Sequence, residues 1–121
     1  MQPILNKTEN TEEYTVVTVL GEITYHREDG PAYIYFWPNG NKKLEIWYLN
    51  GLRTKLDGPA VIEYYDNGNK KEEQWYVSEE QHRIDGPAWI IYNETGAVVT
   101  EYYFQNNLLF RENDLPTIVN Y

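Results

Sequence analysis

From Tyr14 onward the chain is written in short runs whose apolar side chains recur at every second position. Tyr33-Ile34-Tyr35-Phe36-Trp37, Val61-Ile62-Glu63-Tyr64-Tyr65 and Trp89-Ile90-Ile91-Tyr92-Asn93 are rich in aromatic and β-branched residues and too short for helices. Each run meets a turn: Pro38-Asn39-Gly40-Asn41, Asp66-Asn67-Gly68-Asn69, Glu94-Thr95-Gly96-Ala97. Asn-Gly between two such runs predicts a two-residue type I′ hairpin, because both central residues then need positive φ. Return strands follow over 42–49, 70–77 and 98–105, and a broader turn at Asn50-Gly51, Ser78-Glu79 or Asn106-Asn107 closes each unit.

One phrase sets the phase. Asp29-Gly30-Pro31-Ala32 returns as Asp57-Gly58-Pro59-Ala60 and as Asp85-Gly86-Pro87-Ala88, each copy 28 residues after the last, with a worn copy at Asn113-Asp114-Leu115-Pro116-Thr117. A fixed period of roughly 20 to 50 residues marks a repeat array, in which each unit buries its apolar face on its neighbours. The expectation is an all-β fold: one antiparallel meander of hairpin repeats, about three full units with partial caps, in a curved single-layer sheet. Residues 1–13 read as a polar leader and 14–121 as the repeat domain. The strand-like stretch from Tyr14 to Leu20, broken at Gly21, serves as the leading cap, and Ile118-Val119 as a closing strand with an open edge.

A two-residue loop at Asn67-Gly68 pairs Ile62 with Glu73 and places Ala60, Ile62, Tyr64, Glu73 and Trp75 on one face. The equivalents are Ala32, Ile34, Phe36, Glu45 and Trp47, then Ala88, Ile90, Tyr92, Glu101 and Tyr103, so this face is nearly constant. The other face varies: Tyr33, Tyr35, Leu44 and Ile46, then Val61, Glu63, Glu72 and Gln74, then Trp89, Ile91, Thr100 and Tyr102. Scaffold positions recur; Tyr33, Tyr35, Trp37, Trp89, Ile91 and Tyr102 do not. Tyr and Trp concentrate in binding hot spots, which makes these six the candidate partner-binding residues. The competing reading has the strand from Tyr14 to Leu20 lying over them.

Composition narrows the function. With 19 acidic against 10 basic side chains, a net charge of -9 disfavours direct binding to nucleic acid or anionic membrane and favours a basic protein partner. No cysteine is present, which excludes disulfides and thiolate metal sites, and no apolar stretch is long enough for a membrane span. These features suggest the cytoplasm. His26 and His82, each three residues before an Asp of the repeated phrase, invite an acid/base or metal reading, but Thr54 holds the middle position. The expectation is therefore structural, with the Asp capping its turn. Glu45, Glu73 and Glu101 form a ladder that is expected to pair with lysines such as Lys43 and Lys71. No nucleophile constellation or phosphate loop appears, so neither catalysis, cofactor nor metal is expected.

Tyr65-Asp66-Asn67-Gly68 with Glu73-Gln74-Trp75-Tyr76, and Glu45-Ile46-Trp47-Tyr48-Leu49-Asn50-Gly51, resemble MORN-type repeats, in particular a long-period bacterial and viral variant. His26-Arg27-Glu28-Asp29-Gly30-Pro31-Ala32 and Arg111-Glu112-Asn113-Asp114-Leu115-Pro116 are similar to the linkers of that group. The resemblance implies a curved sheet used for contacts. The expected function is a non-catalytic protein-binding module, an inhibitor or antitoxin-like antagonist of phage or bacterial origin, with homodimerisation through the open edge as a further expectation. Its rivals are an acidic nucleic-acid mimic that blocks a DNA- or RNA-binding enzyme, and a nucleotide-binding sponge.

Overall fold

The computed structural model describes residues 2–121. The chain opens with β1 (Ile4–Lys7), β2 (Thr11–Val17) and β3 (Ile23–Tyr25). Three units follow. The first is β4 (Tyr33–Phe36), β5 (Lys42–Ile46), β6 (Tyr48–Leu49) and β7 (Leu52–Arg53); the second is β8 (Val61–Tyr64), β9 (Lys70–Gln74), β10 (Tyr76–Val77) and β11 (Glu80–Gln81). The third is β12 (Trp89–Tyr92), β13 (Val98–Tyr102), β14 (Phe104–Gln105) and β15 (Leu108–Leu109), before a short 3-10 turn at Glu112–Asp114 and the closing β16 (Ile118–Asn120). Ten strands make one open antiparallel sheet in the order β1-β2-β4-β5-β8-β9-β12-β13-β16, with β3 alongside β2. The all-β meander expected from the sequence is the observed fold, a curved single sheet.

Two expectations about the backbone differ from the structure. Residues 4–13 are not a leader: β1 pairs with β2, Ile4 opposite Thr15 and Lys7 opposite Glu12, and β2 then pairs with β4. Their polarity follows from position, since β1 is an exposed edge strand with nothing packed on it. The Asn-Gly turns are not type I′. Only Gly40, Gly68 and Gly96 take positive φ there, and the turn closes over five residues, with Tyr65 N–H bonded to the Asn69 carbonyl and Gly68 N–H to that of Tyr65. The asparagine acts through its side chain instead. Asn67 Oδ1 accepts from Asn69 N–H at 2.9 Å and Asn67 Nδ2 donates to the Glu94 carbonyl at 3.1 Å, tying the turn to the next unit. A bulge in each hairpin, at Lys43, Lys71 and Val99, restores the register, so Ile62 still faces Glu73. The primed turns are the broader ones: Asn50-Gly51, Ser78-Glu79 and Asn106-Asn107 all have two positive φ values and close the small hairpins β6–β7, β10–β11 and β14–β15.

The constant face explains the repeated phrase. Ala32, Ala60 and Ala88 are completely buried, so no larger side chain fits there. The guanidinium of Arg83 lies 3.9 Å over the Trp75 ring, its Nε donates to Asp85 at 3.1 Å and its Nη1 donates to the Pro87 carbonyl at 3.1 Å. It also covers Gly86, where a Cβ would stand 2.8 Å from its Cζ. Arg27 repeats the arrangement over Tyr14, Asp29, Pro31 and Gly30. Asp29 and Asp85 thus hold an arginine rather than capping a turn as expected, because the planar fork brings its Nε to the carboxylate.

Units are further locked by polar side chains reaching forward. Across the sheet runs a row that alternates carboxylate and aliphatic: Glu12, Ile34, Glu45, Ile62, Glu73, Ile90, Glu101, Val119. Glu45 and Glu73 are buried, and each accepts a phenol from the next unit, Tyr64 or Tyr92, and an ammonium from Lys42 or Lys70 at 3.1 or 3.2 Å. The expected lysines, 43 and 71, are turned to the other face by the bulges. There Lys43 sits over Tyr35 and Trp37, and Lys71 approaches Glu63 at 3.7 Å.

Candidate functional site

Register places the non-recurring residues in two parallel rows on the other face of the sheet. The first reads Glu13, Tyr33, Ile46, Val61, Gln74, Trp89, Tyr102, Ile118, each directly opposite the next. The second reads Thr11, Tyr35, Leu44, Glu63, Glu72, Ile91, Thr100, Asn120. Tyr33 and Trp89 are four strands apart, about 19 Å at the usual strand spacing. The aliphatic side chains of Ile46 and Val61 bridge most of that gap, and the face is half-exposed across β4 to β12.

Five of the six candidate residues therefore share one surface. Trp89 stacks on Tyr102 with ring centres 4.5 Å apart, and its Nε1 donates to Glu72 at 3.2 Å. Tyr35 and Ile91 occupy the second row on either side of Glu63 and Glu72. Trp37 stands apart: its indole Nε1 donates to the Tyr64 carbonyl at 3.3 Å, as Tyr65 donates its hydroxyl to the Tyr92 carbonyl one unit later at 2.8 Å. That is an inter-unit tie, and Trp37 also shares the Lys43 ammonium with Tyr35 on the variable face. The strand from Tyr14 does not cover the aromatics, because β2 joins β4 edge to edge and simply lengthens the rows.

Three aromatic residues outside the six border the surface. Tyr48 and Phe104 continue the alternation two positions beyond Ile46 and Tyr102. Tyr48 stacks on Tyr25 at 5.1 Å, and Tyr25 meets Tyr33 edge-on at 5.8 Å. Phe104 stacks on Tyr102 at 6.4 Å. Tyr25, Tyr48, Glu13, Thr15 and Ile23 line a shallow hollow of about 370 Å3. Burial first, then the Glu13 carboxylate, raises Tyr25 and Tyr33 above the ordinary phenol value of 10.0, which keeps both as neutral hydroxyl donors. Tyr48, Tyr76 and Phe104 recur at 28-residue intervals, which marks their position as scaffold bordering the variable rows.

At the centre of the second row two carboxylates face each other. Burial, then the neighbouring Glu63, raises Glu72 above its ordinary value. The histidines lie elsewhere. Nδ1 of His26 and of His82 each accepts a turn N–H, from Asn50 and Asn106 at 3.0 Å, and Thr54 Oγ1 accepts that of Ser78 at the same distance. One acceptor per unit is what the fold requires there, and either residue supplies it. The grooves between units, about 540 and 510 Å3, are lined first by Trp47, Leu49, Lys55 and Leu56, then by their equivalents Trp75, Val77, Arg83 and Ile84. Their lining recurs, which assigns them to the scaffold.

Among the described residues no three His, Asp or Glu side chains converge on a point that would hold a metal ion, and no helix is long and apolar enough to cross a membrane. The chain matches no protein-family model, no curated protein and no solved structure.

Proposed function

We propose that this chain is a non-catalytic protein-binding module, a MORN-like hairpin array that grips a basic protein partner with the variable face of its sheet and so acts as an inhibitor or antitoxin-like antagonist of it. One observation carries this reading: the residues that change from unit to unit collect on a single half-exposed face, while the opposite face and the grooves repeat. A scaffold alone requires no aromatic residues at positions where the neighbouring unit is content with Val61 or Gln74. Tyr and Trp offer large contact area at small entropic expense, and the net charge of -9 steers basic partners toward the molecule.

The test is capture of the partner from the cell that produces the protein, at low salt, with wild-type chain and with Trp89→Ala and Tyr33→Ala variants. A single basic protein retained by the wild type, released by salt and lost by at least tenfold with either variant, is the expected result. Retention unchanged by both substitutions rules the face out.

A further inference from the structure

The chain builds one small recognition unit three times with its own residues: an arginine laid over an aromatic ring and bonded at Nε by a carboxylate. Arg27 lies 3.9 Å over Tyr14 with Asp29 at 3.1 Å; Arg83 lies 3.9 Å over Trp75 with Asp85 at 3.1 Å; Arg53 lies 4.1 Å over Tyr76 with Glu79 at 2.7 Å. On the variable face an indole and two carboxylates stand together without an arginine, one face of the Trp89 ring being covered by Tyr102 at 4.5 Å. Trp89 donates to Glu72, and Glu63 stands directly across the strand pair from Glu72. Among the described residues, the cation at this place is Lys71, whose ammonium reaches Glu63 at 3.7 Å from a half-exposed side chain.

The fold has no need of this arrangement. Like charges directly opposite on neighbouring strands oppose pairing, and the equivalent positions in the outer units hold the uncharged pairs Tyr35–Leu44 and Ile91–Thr100. These carboxylates are served more sparsely than the scaffold's own: Glu63 has Lys71 at 3.7 Å and Glu72 the Trp89 indole, whereas Glu45 and Glu73 each receive a lysine and a tyrosine. Leu44, Val61, Ile91 and Trp89 surround the pair and reduce its contact with water, which strengthens any charge-assisted bond made there.

We infer that the occupant of this face is a protein segment presenting an arginine between apolar side chains, its guanidinium seated between Glu63 and Glu72 and against Trp89. A planar fork of five N–H groups serves two carboxylates at once and stacks on an indole, neither of which an ammonium does as well. This rests on reading the variable face as the docking surface, and it adds the chemistry of the occupant.

The experiment is an NMR titration of the 15N-labelled protein with the peptide acetyl-Leu-Arg-Leu-amide and with the same peptide carrying citrulline or lysine in place of arginine. The Trp89 indole N–H, assigned by its loss in Trp89→Phe, reports on the bond to Glu72. The arginine peptide should shift this resonance saturably, with the citrulline peptide at least tenfold weaker and the lysine peptide weaker by severalfold. Glu72→Gln and Glu63→Gln should each weaken the arginine peptide by at least tenfold while the remaining spectrum stays in place. Equal response to arginine and citrulline peptides on this face overturns the arginine seat and leaves the docking surface standing. Equal response to arginine and lysine, or arginine binding that ignores both substitutions, overturns the seat as well. No response at Trp89, Tyr33 or Tyr102 to any peptide removes both readings.

Discussion

Tyr64 donates its hydroxyl to the buried carboxylate of Glu45, one unit earlier in the chain. Tyr92 does the same for Glu73, and Tyr121 for Glu101. The first unit carries Phe36 at this position, although Glu12 stands opposite Ile34 there as Glu45 stands opposite Ile62. The bond is thus made by Tyr64, Tyr92 and Tyr121 and is absent from the first unit. Replacing Tyr64 with Phe leaves a buried carboxylate with Lys42 alone, a loss of about 1–3 kcal/mol by the usual cost of an unmet charged partner. Urea unfolding checks this, and Phe36→Leu, which touches no such bond, is the control for volume.

Alkaline pH tests the same ladder. Burial first, then the glutamate that accepts its hydroxyl, raises Tyr64 and Tyr92 well above 10.0. The folded chain therefore holds these protons more tightly than the unfolded one. Stability is fully present below pH 10 and falls as pH rises past it toward the folded values. Melting temperatures measured from pH 8 upward should decline more steeply for the wild type than for the Tyr64→Phe/Tyr92→Phe double variant.

Glu72 follows the same sign in the acid range. Its carboxyl is raised by burial and then by Glu63, so the folded state favours the protonated form and ionisation near neutrality works against folding. Glu72→Gln should raise the melting temperature at pH 7, with the gain shrinking as pH falls through the raised value and vanishing below the ordinary carboxyl value of 4.5. Parallel melts at pH 3.5 and pH 7 decide it. A destabilised Glu72→Gln at pH 7 would show that the carboxylate serves the fold.

The turn at Ser78-Glu79 holds two non-glycine residues at positive φ, 47° and 70°. Arg53 compensates in part: its Nε donates to Glu79 at 2.7 Å, and Glu79 N–H bonds to the Arg53 carbonyl at 2.8 Å. The other two units place Asn50 and Asn106 where this one has Ser78, at nearly the same φ. Asparagine tolerates that conformation better than serine, so Ser78→Asn should stabilise by about 0.5 kcal/mol, read as a higher denaturant midpoint with unchanged slope.

Gly86 is fixed by Arg83 rather than by its own backbone angle. A Cβ there would displace the guanidinium from Trp75, Asp85 and Pro87. Gly86→Ala should lose about 1–2 kcal/mol, in the range seen for overpacking. In an Arg83→Ala background the same substitution should lose much less, and a double-mutant cycle measures the coupling.

The sheet, its order and its two faces were legible because period and alternation are global signals: a one-residue slip would have turned Ile62 and Tyr64 outward in every unit at once. Local geometry was not. Asn67-Gly68 reads as a primed turn from its dipeptide, yet the bulge at Lys71 absorbs the difference and leaves the register the same, so the strand pattern could not reveal it. The first strands were missed because an edge strand such as Ile4–Lys7 carries no alternating face. Five members of the candidate surface were visible as residues that fail to recur. The sixth, Trp37, lies beyond the two rows, and its added scaffold role was hidden because Trp, Tyr and Asn at one repeat position look unrelated, although Trp37 and Tyr65 there donate the same forward hydrogen bond.

The central claim is a division of labour between the two faces, and paired measurements of stability and complex formation test it most directly. Trp89→Ala and Tyr33→Ala should abolish capture of the partner while shifting the melting temperature little. Tyr64→Phe and Gly86→Ala should lower the melting temperature and leave the affinity of the folded fraction unchanged. The account is contradicted if the variable-face substitutions unfold the protein as readily as the scaffold ones, or if the complex survives them.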